Sequence, residues 1–205
     1  MRIKIYSYVT PGYDDMVRDG RAYIQIPEEI TSRFSNTRMI ARMAKCLPHM
    51  FMDPDEYDAC LWVDSNVQLK KGNSYEQLIR NYFAKSEHCS VFAHTQRTTI
   101  NEEIDAIDKF GLDHPTLTKK HRDKEGTLAW TGILYRKFTP EVIRANNYWW
   151  SELSTKSSRD QLTFPYCFDG LVDYKENPDL EKLGELCWTN NSIWGKLKHK
   201  KKQDF

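Results

Sequence analysis

Two short apolar runs that each end abruptly in polar residues constrain the fold most. Cys60-Leu61-Trp62-Val63 gives way to Asp64-Ser65-Asn66, and Cys89 to Ala93 gives way to His94 and, shortly after, Arg97. Compact apolar runs of this length read as buried strands. Amphipathic segments lie between them. Ser35 or Asn36 caps a helix running to about Cys46, with Met39, Ile40, Met43 and Ala44 on one face. Strands alternating with helices imply an α/β fold with a mainly parallel sheet flanked by helices. In such sheets ligands bind beyond the carboxyl ends of the strands, where the polar residues of this chain fall.

The rest of the chain fits that frame. Arg2 to Val9 alternates as a first strand and is broken by Pro11 and Gly12; Ala22 to Ile26 is a second, stopped by Pro27. Helices are predicted over Tyr75 to Phe83, Thr99 to Phe110 (closed by Gly111) and Pro140 to Leu153. Leu128 to Tyr135 reads as a strand, and His114 to Glu125 as polar helix or loop. Ser157 or Ser158 is expected to cap a last short helix from Arg159 to about Phe164. With no internal repeat and no dividing linker, residues 1–195 are expected to form one domain and 196–205 a basic tail.

Composition narrows the partners. The net charge of +1 gives no whole-protein field toward a polyanion, although Lys196, Lys198, Lys200, Lys201 and Lys202 cluster at the end. The five cysteines form no CxxC pair and read as buried thiols of a reducing compartment. No apolar run approaches the roughly 20 residues of a membrane span, so the chain is expected to be cytoplasmic. Its 13% of aromatic residues serve either a ring-rich core or a cleft that stacks on sugars or bases. GxSxG, Walker, GxGxxG and HExxH motifs are all absent from the sequence, which removes the usual hydrolase, kinase and dehydrogenase readings.

Several residues carry chemistry at the strand ends. Asp64 and Asn66, one residue apart, can grip a hard divalent cation such as Mn²⁺ or Mg²⁺, with Ser65 between them. Arg42 and Lys45 share a helix and are candidates for a diphosphate clamp. Asp14, in the loop after the first strand, is expected at the nucleoside. His49, His94, Arg97 and Trp130 are candidate substrate contacts. Arg159-Asp160-Gln161 offers a guanidinium, a carboxylate and an amide together. Asp160 is the expected catalytic carboxylate, able to stabilise positive charge, act as a nucleophile or take a proton, with Arg159 keeping it ionised and Gln161 able to hydrogen-bond hydroxyl groups. Glu102 and Glu103 read as solvent-facing helix-start residues.

Taken in order, these segments resemble a family of GT-A-like glycosyltransferases long catalogued as a domain of unknown function, whose better-known members are plant proteins of mucilage and cell-wall synthesis. The matching residues are Tyr-Val-Thr-Pro-Gly-Tyr-Asp (8–14), Arg42 to Lys45 with Pro48-His49, Leu-Trp-Val-Asp-Ser-Asn-Val (61–67), His94 with Arg97, Glu102-Glu103, Trp149-Trp150 and Ser-Arg-Asp-Gln-Leu-Thr-Phe (158–164). They span residues 6 to about 168. The resemblance implies a Rossmann-like GT-A fold, a nucleotide-diphosphate sugar donor and Asp64 as the metal-binding acid; Ser65 is a mild departure from the family triplet. The Asp160-Gln161 step is also similar to that of glycogenin-type retaining transferases, in which the Asp lies under the anomeric carbon. The expected activity is therefore metal-dependent sugar transfer, retaining or inverting. Two alternatives stay open: a phage-type enzyme glycosylating a modified DNA base, motivated by the lysine tail, and an inactive sugar- or nucleotide-binding module. The acceptor, glycan or DNA base, is not fixed by the sequence.

Overall fold

The computed structural model describes residues 1–10, 16, 18–69, 72–176 and, for the backbone, 187–189. In chain order the elements are β1 (Ile3–Ser7), β2 (Ala22–Tyr23), α1 (Glu28–Thr31), α2 (Thr37–Cys46), β3 (Ala59–Val63), β4 (Val67–Leu69), α3 (Tyr75–Leu78), β5 (Cys89–Ala93), α4 (Ile100–Phe110), α5 (Pro115–Thr118), β6 (Ala129–Lys137), α6 (Pro140–Thr155), α7 (Asp160–Cys167), β7 (Val172–Lys175) and β8 (Cys187–Thr189). α3 continues as a π-helical turn over Ile79–Phe83.

Local chemistry sets the helix ends. The Asn36 side chain accepts from Arg38 N and starts α2. Reciprocal capping boxes open α3 (Ser74 with Gln77) and α4 (Thr99 with Glu102), satisfying donors that have no intrahelical partner. Gly111 closes α4 in the left-handed region at φ 59°, where a side chain is disfavoured. Thr139 caps α6, with Pro140 in its first turn. α7 differs from expectation. It begins at Asp160, and no side chain caps its first N–H groups. Ser157 Oγ instead accepts from Arg159 N, while the Ser157 and Ser158 hydroxyls donate to Asp113.

Six strands form one sheet in the order β2-β1-β3-β6-β5-β7, and β4 pairs antiparallel with β8 apart from it. β1 is parallel to β2 and β3, and β5 to β7, while β6 is antiparallel to both β3 and β5. The sheet is thus mainly parallel, as predicted, with β6 alone reversed. The carboxyl ends of β1, β3 and β5 share one edge with the start of β6. The second strand is shorter than expected. β4, β7 and β8, together with α1, had no counterpart in the sequence reading because each is very short and lacks an apolar run.

Both faces of the sheet are covered. On one, Tyr6, Cys60, Trp62, Val91 and Leu134 pack against Met43 and Ala44 of α2, Trp149 of α6, and Phe164 at α7. On the other, Leu61, Val63, Ile133 and Tyr135 meet Leu78, Ile79 and Phe83. α4 packs on α7 through Ile100, Ile104, Ile107 and Leu162. Cys46, Cys60, Cys89 and Cys167 are buried free thiols. Among the described residues no helix is long and apolar enough to cross a membrane.

One irregularity bears on the site. Val91 of β5 opposes Leu134 of β6, but the next residue, Phe92, opposes Trp130. Residues 131–133 therefore bulge from the β5 ladder, and the bulge brings Thr131 to the α2 and α7 side, where its hydroxyl is bonded. The Trp130 ring folds over Gly132; a Cβ there would lie 2.8 Å from Trp130 Cζ2. Gly132→Ala is therefore expected to shift Trp130 or the bulge and to cost about 1–3 kcal/mol. Urea unfolding checks this, and an unchanged midpoint would show that the bulge tolerates a methyl group.

Candidate functional site

Asp64 follows β3 directly and anchors the site. Its Oδ1 accepts from Trp62 Nε1 at 2.6 Å and from Lys45 Nζ at 3.2 Å, and its side chain is 32% exposed. The turn it begins is tied from behind. Val67 N donates to Asp64 O, and Arg21 Nη1 donates to the same oxygen at 2.9 Å. The other end of the Arg21 guanidinium reaches Val67 O and, at 2.7 Å, Tyr75 Oη, and Asp19 pairs with it. Asp64, Ser65 and Asn66 consequently face a cavity of about 240 Å³ together with Tyr8, Thr10, Thr37 and Arg42. A larger hollow of about 490 Å³ adjoins it, sharing Tyr8 and Thr37 and adding Tyr23, Phe34 and Ile40. The smaller cavity holds the polar groups and is the chemical candidate.

Asp160 is the second carboxylate, and it is almost fully buried. Its Oδ2 accepts from Lys45 Nζ at 2.6 Å, Thr131 Oγ1 at 2.8 Å and Arg42 Nη1 at 2.9 Å. Lys45 Nζ thus bridges Asp160 and Asp64. Burial alone would raise the Asp160 pKa, but the charges of Arg42 and Lys45 outweigh it and hold the carboxyl well below the usual range. Trp149 Nε1 donates to Asp160 O and Thr163 Oγ1, fixing the start of α7.

Several expectations are revised by this geometry. Lys45, assigned to the diphosphate, has no exposed surface, because its ammonium is enclosed by two carboxylates and Thr131. Arg42 keeps 17% exposure and lines the cavity while pairing with Asp160. Arg159, expected to hold Asp160 ionised, bonds Glu103 at 3.1 Å, so that Arg42 and Lys45 carry most of that task and the Arg159 charge adds a smaller share. Gln161 Oε1 lies 3.5 Å from Arg159 Nη2. Glu103 is not solvent-facing but wholly buried, between Arg97 and Arg159. Glu102 is exposed as expected and completes the α4 capping box.

Other candidates lie elsewhere. His49 sits beyond the end of α2, in the turn Pro48–Met50 against Asn147 of α6, and is not among the residues lining the Asp64 cavity. Trp130 packs on Phe92 at the bulge. His94 caps the turn after β5, where its Nδ1 accepts from Gln96 N and Arg97 N. Burial, followed by the nearby Arg97 charge, lowers its pKa. Asp14 and the lysine tail lie outside the described residues. Sequence reasoning missed Arg21, Thr131 and Tyr75. Each is unremarkable in its local pattern and acquires its role only through contacts distant along the chain.

Among the described residues, no three His, Cys, Asp or Glu side chains converge as a metal site. Asp64 and Asn66 offer one carboxylate and one amide in the same cavity. That donor set fits an ion such as Mg²⁺ only if phosphate oxygens and water complete the shell, the coordination this ion commonly takes.

Residues 28–183 match the model of the TOD1/MUCI70 glycosyltransferase-like domain. No curated protein matches the chain. The fold is similar to that of a glycosyltransferase involved in the glycosylation of the major capsid of PBCV-1, with 13% identity, a TM-score of 0.58, and 97% of this chain and 98% of that chain covered. More distant are the WbbM bifunctional glycosyltransferase (11% identity, TM-score 0.45, 85% of this chain and 38% of that chain) and A197 from STIV (9% identity, TM-score 0.41, 92% and 85%). At those scores neither of the last two bears on function.

The buried ion pair makes stability depend on pH. Because the folded Asp160 pKa is depressed, its contribution is complete above the unfolded value of about 3.9 and is lost as pH falls below it, at up to about 1.4 kcal/mol per pH unit. Lys45→Met is expected to cost about 3 kcal/mol at neutral pH by removing one partner of a buried pair. It should also flatten the slope between pH 4 and 2, as the Asp160 pKa returns toward normal. Urea unfolding across pH 2–7 measures both effects. An unchanged acid slope would show that Lys45 does not hold the Asp160 charge.

Proposed function

The chain belongs to the TOD1/MUCI70 glycosyltransferase-like domain family, and from that premise we propose that it transfers a sugar from a nucleotide-diphosphate donor with the help of Mn²⁺ or Mg²⁺, in the manner of GT-A enzymes. The observation that carries this reading is the pairing of an accessible carboxylate with a buried one that is bonded by Lys45 and Arg42. Asp64 faces the cavity beside Ser65 and Asn66, and Asp160 stands one lysine ammonium away.

In this reading Asp64 and Asn66 hold the cation, which neutralises the leaving diphosphate when bound. Arg42, which lines the cavity wall together with Arg38, is assigned to the diphosphate, since its side chain keeps 17% exposure while bonding Asp160 and Ser158 O. Lys45 acts through charge, bridging Asp64 and Asp160 and holding the Asp160 carboxyl ionised. The Asp14 loop follows β1 and is assigned to the nucleoside. Gln161 and His94 remain candidates for sugar hydroxyls.

The environment of Asp160 selects among the roles a carboxylate can have. An oxygen that accepts three hydrogen bonds, two of them from cations, is a poor proton acceptor. A fixed negative charge can still stabilise the positive charge that develops on a sugar ring during transfer. Asp160 is therefore assigned electrostatic stabilisation rather than general-base catalysis.

Two measurements test this. Asp64→Ala should abolish metal-dependent binding of a nucleotide-diphosphate sugar while leaving the unfolding midpoint within about 1 kcal/mol of the parent, as suits a partly exposed residue. Retained metal-dependent binding in that variant would remove the cation site. Arg42→Ala should weaken a nucleoside diphosphate about tenfold but the nucleoside much less, the loss expected for one charge-assisted contact. Equal losses for both ligands would reject the phosphate role.

A further inference from the structure

Asp64 is held so that only one of its carboxylate oxygens is left to a ligand. Its main chain is fixed on both sides. Asp64 N donates to Gly132 O at 2.8 Å, and Asp64 O accepts from Val67 N and Arg21 Nη1, each at 2.9 Å. Rotation of the side chain is the freedom that remains, and Trp62 removes it. Residues two apart on an extended chain project to the same face. The Trp62 indole therefore lies beside the carboxylate, and its Nε1 donates to Asp64 Oδ1 at 2.6 Å. Lys45 Nζ reaches the same oxygen at 3.2 Å. Among the described residues Oδ2 accepts no hydrogen bond. The Asp64 side chain keeps 32% exposure at the cavity wall.

The donor is itself immobile. Trp62 is 3% exposed, its ring meets Tyr6 edge-on at 5.1 Å, and Tyr6 Oη accepts from the buried Arg136. The Lys45 ammonium stands over the indole, 5.8 Å from its centroid. An indole nitrogen only donates, and a buried one needs an acceptor. A backbone carbonyl would serve burial alone; here the acceptor is the carboxylate that faces the cavity. The surrounding charge is balanced as well. Asp64 and Asp160 are paired with two cations, Lys45 and Arg42. The centre thus has no surplus of negative charge for a free divalent ion, which also meets the Lys45 ammonium as a neighbour of its own sign. A diphosphate supplies the missing charge.

We propose that Trp62 is a positioning residue that sets the choice of cation: with Lys45 it occupies Asp64 Oδ1, and so makes Asp64 a one-oxygen ligand through Oδ2. Ca²⁺ takes about 6–8 oxygens and often both oxygens of a carboxylate, whereas Mg²⁺ is held by one or two carboxylates with water and phosphate completing an octahedron. The site is therefore selective for Mg²⁺ or Mn²⁺ over Ca²⁺, and it takes the ion with the diphosphate rather than before it. This inference rests on the transferase reading, whose cation it places on Asp64, and adds the residue that orients that acid.

Calorimetric titration of the full chain with pyrophosphate and with UDP, each in saturating Mn²⁺, in saturating Ca²⁺ and in EDTA, tests it. Mn²⁺ should tighten both ligands about tenfold or more over EDTA, and Ca²⁺ severalfold less. Mn²⁺ alone should bind at about 1 mM or weaker. Trp62→Phe keeps an aromatic ring and removes the N–H. It should weaken binding in Mn²⁺ about tenfold, the usual cost of losing a bond to a metal ligand, and leave binding in EDTA unchanged. The preference for Mn²⁺ over Ca²⁺ should shrink with it. A Trp62 that only fills the core would shift all three conditions together. If the phenylalanine variant fails to fold, benzothienylalanine at position 62, which puts sulfur in place of the N–H in the same shape, makes the same comparison. Equal affinity in Mn²⁺ and Ca²⁺, tight binding of Mn²⁺ without pyrophosphate, or a Mn²⁺ preference untouched by loss of the N–H overturns the proposal. The transferase reading fails separately, as Mn²⁺-dependent pyrophosphate binding to which no nucleoside adds affinity, and that result leaves the Trp62 comparison standing.

Discussion

A single carboxylate oxygen, Asp160 Oδ2, joins three parts of the fold. It takes hydrogen bonds from Lys45 and Arg42 of α2 and from Thr131 of β6, while Asp160 itself opens α7. Isolated charges of either sign would be costly at this depth. The lysine and the carboxylate are tolerable only together, and only with their remaining bonding capacity filled. That requirement fixes how α2 and α7 stand on the sheet. It also fixes Asp64, because the same ammonium reaches its Oδ1. The position of the exposed acid in the cleft therefore depends on a buried one.

A second buried cation works along the same helix. Arg136 of β6 has no exposed surface; its guanidinium donates to Lys45 O at 2.6 Å, Asn146 Oδ1 at 2.6 Å and Tyr6 Oη at 2.9 Å. Lys45 is thereby held at both ends, its carbonyl by Arg136 and its ammonium by the two acids. Arg136 has no carboxylate partner among the described residues and relies on carbonyl, amide and phenol oxygens. Trp149 lies under its guanidinium, 5.9 Å from ring centroid to carbon, and bonds the start of α7 through its indole nitrogen. The aromatic richness of the chain serves this core: Trp149, Phe164 and Phe168 pack on one another between α6 and α7.

Preorganisation of the cleft has a further source in Arg21. It bonds the backbone oxygens of Asp64 and Val67 and so holds the turn that displays Ser65 and Asn66. A turn fixed by its main chain leaves its side chains available to a ligand. Such rigidity lowers the cost of ordering a site at the moment of binding. The bulge in β6 has a similar effect from the other side, since it directs Thr131 to Asp160 where a regular strand would place its side chain on the opposite face.

The sequence by itself determined the elements whose signals are local. Apolar runs at 59–63 and 89–93 formed the central strands, and the cap residues Asn36, Thr99 and Thr139 with Gly111 set helix ends. Because polar residues follow those strands directly, the cleft edge and the place of Asp64 beside Asn66 were legible too. Tertiary structure alone decided the rest, for reasons of charge and of distance along the chain. Nothing local marks β6 as the reversed strand, since its direction follows from pairing with β3 and β5. Nothing local says that Lys45 and Glu103 are buried, because an amphipathic helix usually turns such residues to water; each is inside only because opposite charges arrive from other segments, Asp160 for Lys45 and Arg97 with Arg159 for Glu103. Adjacency in sequence suggested that Arg159 serves Asp160. The backbone of the helix start sends the two side chains apart, and Arg42, 118 positions away, makes the bond instead.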